Sequence, residues 1–146
     1  MQTKRYKLKV DMYGISYWFL LFPALKAMYK HVDSLCGEDL NPGFGYCLIH
    51  AGDRIVKVCL SAEWVSHYVI AHEAFHATIA AARLNKRRFN QKRWMAVRDD
   101  GDFLPATAPE ERLADVCGEV MSELWRHLAK FKFKNNTIDL SRTGLK

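Results

Sequence analysis

No two cysteines in this chain form a C-x-x-C pair. The four present, Cys36, Cys47, Cys59 and Cys117, are scattered along 146 residues. That distribution supplies no cysteine-type zinc site and no secreted disulfide framework. Free thiols in a reducing cytoplasm are expected, with one bridge between Cys47 and Cys59 across a hairpin as the alternative. A membrane-spanning run is missing as well: the apolar stretch from Ile15 to Leu25 is too short to cross a bilayer and contains Pro23. Lys4, Arg5, Lys7 and Lys9 ahead of it imitate a signal peptide, but Asp11 interrupts the approach. Cleavage after Ala24 or Ala27 would put Phe22 or Leu25 where a small residue is required. Neither secretion nor membrane insertion is indicated, and a cytoplasmic location is expected. Repeats, low-complexity stretches and dividing linkers are also missing. A single domain over residues 1–146 is therefore expected, with 131–146 as a loosely ordered tail.

What is there is an ordinary globular composition, 49% apolar and 26% charged. The formal net charge of +6 suits an acidic partner such as nucleic acid but does not require one. "KRYKLKVDM" alternates basic and apolar residues and predicts a first strand that Gly14 ends. From Ile15 to about Leu35 the apolar residues Phe19, Phe22, Leu25, Met28 and Val32 recur at helical spacing, with Pro23 marking a kink or a later helix start. "YCLIH" and "RIVKVCL", joined across "AGD", predict a hairpin. Ser61 then opens an alanine-rich helix to about Leu84. Residues 85–106 are irregular, first basic (Arg87, Arg88, Lys92, Arg93, with Trp94) and then acidic. A T-x-x-E capping box at Thr107 and Glu110, with Pro109 in the first turn, predicts a helix from Ala108 to about Lys130. A short alternating strand is expected at 130–134.

The chemistry lies in "VIAHEAFHATI", residues 69–79. On a helix His72 and His76 project side by side, one turn apart, close enough to share a zinc ion. Glu73 is rotated one step away, where a general base can act on water held at the metal. Val65, Tyr68, Val69, His72, His76 and Ile79 fall on one seam, expected to face the core. Buried imidazoles there would need partners, and a shared metal supplies them. No third histidine follows closely, so the H-E-x-x-H-x-x-G-x-x-H arrangement is absent. A carboxylate from the second helix is the expected third ligand. Glu111 and Asp115 lie on one face, with Ala114, Gly118 and Ser122 as small residues that would permit close approach. Glu111 is the expected ligand, and Glu110, explained better as the capping residue, is the alternative. Asp115 would accept the outer N–H of a ligating histidine, unless it is simply a surface acid. Transition-state donors remain open among Tyr68, His67, His50, Arg98, Arg112 and His127, with Tyr68 favoured by its place one turn before His72.

H-E-A-F-H (72–76) followed by E-R-L-A-D (111–115) resembles the H-E-x-x-H … E-x-x-A-D/N pattern of gluzincin metallopeptidases. The short length is similar to the compact minigluzincin type, including small phage metallopeptidases and ImmA/IrrE-like proteases. The likeness spans roughly residues 46–125. It implies an α+β fold, a small antiparallel or mixed sheet packed on helices, with the H-E-x-x-H helix beneath a sheet edge strand. "RIVKVCL" would be that strand, pairing with an extended peptide. It also implies a Zn2+ cofactor on His72, His76 and Glu111, Glu73 as general base, and a protein or peptide substrate. The alternative is a binding or inhibitory protein that keeps the peptidase scaffold and acts on a protein or nucleic-acid partner. A nucleic-acid binder with structural zinc fits less well, because such zinc has four closed ligands and only three good candidates exist.

Overall fold

In a computed structural model of the chain the described residues are 5–37, 43–85, 108–134 and 137–139. Strand β1 (Tyr6–Met12) reverses into β2 (Ile15–Phe22) through Tyr13 and Gly14, whose φ values of 55° and 68° are both positive. Two central residues with positive φ suit a two-residue hairpin, whose twist matches that of the strands, and Met12 pairs directly with Ile15. The helical spacing read from Ile15 onwards is therefore overturned over 15–22. "ISYWFLLF" is aromatic-rich and covered on both faces, with Ile15, Tyr17, Phe19 and Leu21 buried on one side and Leu20 and Phe22 on the other. A central strand reads as a nearly continuous apolar run, which is easily mistaken for a helix. Helix α1 (Leu25–Cys36) begins only after Pro23.

β3 (Gly45–His50) and β4 (Ile55–Ser61) form the expected antiparallel hairpin. The four strands are ordered β1-β2-β4-β3, and β2 runs parallel to β4. β4, which carries "RIVKVCL", is thus central rather than an edge; the edge strand on that side is β3. Cys47 lies opposite Val58 and Cys59 opposite Tyr46, so the two cysteines face opposite sides of the sheet. All four cysteines are free thiols.

Helix α2 (His67–Leu84) starts six residues later than expected. Ser61 ends β4, and Ser66 is the cap, its Oγ accepting the Val69 N–H at 3.2 Å. Helix α3 (Ala108–Leu128) matches its expected span, although Thr107 of the capping box lies outside the described residues. α1 covers one face of the sheet, where Met28 and Val32 meet Leu20, Phe22 and Cys59. α2 and α3 cover the other, where Ala74, Ala77, Val116 and Val120 meet Tyr17, Phe19, Val58 and Leu60. The result is an α+β, three-layer arrangement around a mixed sheet.

After α3, β5 (Lys132–Lys134) pairs with β6 (Thr137–Asp139). Phe131 and Ile138 are buried, and the Ile138 N–H donates to Ala62 O at 2.7 Å. Phe131 and Ile138 are therefore docked on the core. No helix among the described residues is long and apolar enough to cross a membrane.

Candidate metal centre

α2 buries Val69, Ile70, Glu73, Ala74, Ala77, Ala80 and Ala81. His72 and His76 lie on its exposed side, together with Tyr68 and Phe75. The seam expected to face the core is thus turned outwards at its histidines, and the buried stripe is displaced around the helix towards Glu73.

The two imidazoles converge, with the Nε2 atoms 3.2 Å apart and the rings nearly perpendicular at 73°. Two nitrogens each about 2.0–2.1 Å from one tetrahedral zinc lie about 3.3–3.4 Å apart, so the pair stands at ligand spacing. Two ring N–H groups cannot face each other at such a distance, so the pair holds either one shared proton or a cation. Tyr68 packs its ring on His72 with centroids 5.7 Å apart.

Glu73 is the chemically unusual group. It is 4% exposed, and its Oε2 has no hydrogen-bond partner. Burial in this apolar setting pushes the carboxyl from 4.5 up to about 7. Gly45 of the edge strand lies directly against it: a Cβ at that position would come within 2.8 Å of Glu73 Cγ. The missing side chain is what lets the carboxyl sit under the β3 backbone. Phe44, next to Gly45, stacks on Trp64 at 4.7 Å, and both remain exposed. Tyr68 and Phe75 leave apolar surface on α2 beside the histidine pair, and Phe44 and Trp64 leave more beside Gly45. "NPGFG" reads as a loop from composition, and nothing in it signals that Gly45 sits on Glu73.

The expected carboxylate donors do not join this cluster. Among the described residues, no third His, Cys, Asp or Glu completes a metal-holding group with His72 and His76. Glu111 and Asp115 lie on the exposed face of α3. Ala114, Gly118 and Ser122 are exposed too, and a Cβ on Gly118 would meet nothing within 4 Å. The small-residue stripe is therefore not a close helix contact; α3 packs through Leu113, Val116, Val120, Leu124 and Leu128 instead. Glu110, the alternative ligand, is half-buried in the same first turn.

Of the other expected donors, His67 stacks on Trp125 at 4.8 Å, and Arg112 is exposed on α3. His127 stands 3.6 Å from Glu123. The His50 side chain lies on the α1 side of the sheet, in register with Ile55, away from the pair. Arg98 and the basic residues Arg87, Arg88, Lys92, Arg93 and Trp94 lie outside the described residues. No family model, curated protein or solved structure matches the chain.

Proposed function

We propose that this protein is a zinc-dependent metallopeptidase of gluzincin type. The observation that carries the reading is the Nε2 pair of His72 and His76 at 3.2 Å, one step around the helix from a buried carboxyl that burial raises to about 7. A general base works best when its pKa lies near the operating pH, and few structural roles need a carboxyl in such a position. His72 and His76 supply two nitrogen ligands. Glu111, exposed in the first turn of α3, is the proposed third, which metal binding would have to draw in towards the pair. Asp115, one turn on, would steady a ligating imidazole.

Bound zinc would supply Lewis acidity to a peptide carbonyl and to water. Glu73 accepts the proton of the attacking water and passes it to the departing amine. The edge strand β3 offers its open side to an extended chain, and Phe44, Trp64 and Phe75 offer apolar contact beside it. The Tyr68 hydroxyl, 75% exposed as a residue and beside His72, is the proposed side-chain donor for a developing oxyanion.

Three variants test the reading on purified protein with an unfolded polypeptide as substrate. Glu73→Gln is expected to keep one zinc per chain and lose hydrolysis. His72→Ala loses both, and Glu111→Gln loses most of the zinc. Metal analysis of folded wild-type protein returning well below one zinc per chain would defeat the proposal.

A further inference from the structure

On the sheet face opposite α2, at the C-terminal end of α1, lies a cavity of about 280 Å³. Leu35, Leu48 and Ile55 give it apolar walls, and Lys57 and His50 add polar groups. Its volume lies just below the range of about 300–1,000 Å³ for drug-sized ligands, which suits a smaller molecule. Leu35 is 50% exposed, so water rather than protein now covers one of the cavity's large apolar side chains.

Among the described residues, cations stand along the sheet beside the cavity. Sheet register places Lys9, Trp18, Lys57 and Leu48 in a single row across the four strands. Lys7 Nζ stands 3.8 Å over the Trp18 ring. Burial, then the nearby Arg5 and Lys57 cations, hold His31 on α1 below its ordinary value, as a positive local field requires. Asp11 and Asp53 are two of the described acids in this region. Asp11 accepts from Ser16 and lies 3.8 Å from Lys9. Asp53, which also lines the cavity, donates its backbone N–H to His50 Nδ1 at 3.1 Å, with its carboxylate 3.4 Å from the same nitrogen. Lys57 forms no ion pair among the described residues.

We propose that this cavity binds a small amphiphilic carboxylate, with its tail among Leu35, Leu48 and Ile55 and its head on Lys57. The site is independent of the histidine pair, which lies on the other side of the sheet. A purely polar anion would leave the apolar walls wet, and a neutral tail would leave Lys57 without its counter-charge.

Calorimetric titration with octanoate, octan-1-ol and inorganic phosphate, with a chelator present, tests this directly. Wild type is expected to bind octanoate saturably and phosphate no more than weakly. Lys57→Gln is expected to weaken octanoate about tenfold or more while leaving octan-1-ol unchanged, and Lys57→Arg to retain most of the affinity. Leu35→Asn weakens both organic ligands. Cys36 gives a readout that needs no cavity variant, because its exposed thiol lines the same cavity. Burial pushes Cys47 and Cys59 up to about 12, so alkylation of a Cys117→Ser protein reports Cys36, and octanoate should slow it. Octanoate that fails to saturate in the millimolar range, or that binds equally well to Lys57→Gln, overturns the proposal. Phosphate binding as tightly as octanoate overturns it equally.

Discussion

Glu73 is a residue whose environment works against its ordinary ionisation. In an unfolded chain its carboxyl titrates near 4.5; in the folded protein burial moves it to about 7. Between those values the folded state holds a proton that the unfolded state has released, so stability falls as pH rises through that window and is level on either side. Metal-free wild type is expected to lose about 2–3 kcal/mol from this group between pH 4.5 and pH 7. Glu73→Gln escapes that loss. Urea unfolding of both proteins in chelator at pH 5 and pH 8 checks it: the variant's advantage should widen at the higher pH, and parallel behaviour would contradict the burial described. Gly45 belongs to the same account. A methyl group 2.8 Å from Glu73 Cγ forces the strand or the carboxyl to move, so Gly45→Ala should cost about 1–3 kcal/mol and suppress hydrolysis with zinc content intact. Most of that cost should vanish in a Glu73→Ala background, because the side chain in the way is gone; a double-mutant cycle measures the coupling.

At the scale of elements, local signals were legible where one chemical cue dominated. The β3–β4 hairpin, the long α2 and the span of α3 could all be read from turn composition and periodicity. Two failures share a physical cause. On α2 part of the expected seam points outwards: Tyr68 is 75% exposed and both histidines are exposed, whereas Val65 and Val69 are buried and Ala74, Ala77, Ala80 and Ala81 complete the covered face. Small residues carry little weight in a hydrophobic pattern, yet they let a helix lie close to a sheet. On β2, an apolar run covered on both faces mimicked helical spacing. The candidate site was legible in part for the same reason. The imidazole pair depends on an i, i+4 spacing that sequence displays directly, whereas Gly45 reaches Glu73 only through sheet assembly. The placement of Glu111 depends on how two helices pack. The start of α2 was misread because Ser61 and Ser66 are both plausible caps; only Ser66 precedes helical backbone. Ser66→Ala should therefore lower stability by about 1 kcal/mol, with Ser66→Asp close to wild type, while Ser61 gives no capping effect in the same thermal melts.

For the whole molecule, the position of α2 over the sheet is what brings Glu73 beneath Gly45, and Arg54 holds one end of that arrangement. Its Nε donates to Gly14 O at 2.9 Å, Nη1 to Leu84 O at 3.0 Å and Nη2 to Asn85 Oδ1 at 2.6 Å. Asn85 in turn donates through Nδ2 to Tyr13 O at 3.4 Å. One guanidinium thus joins the β1–β2 turn, the β3–β4 turn and the C-terminal end of α2, where a cation also meets the negative end of the helix dipole. Arg54 itself has a φ of 53°, a conformation that non-glycine residues adopt at some cost and that the three donations offset. Arg54→Ala is expected to lower stability by about 2–3 kcal/mol, and Arg54→Lys to recover only a minor part, since an ammonium lacks the planar fork that reaches three acceptors. The effect should also be directional. Amide hydrogen exchange should quicken first in the last turn of α2 and at Tyr13–Gly14, and the raised Glu73 pKa should fall as water gains access beneath β3. An Arg54→Ala protein with unaltered exchange at both places would show that α2 is held by its alanine face alone.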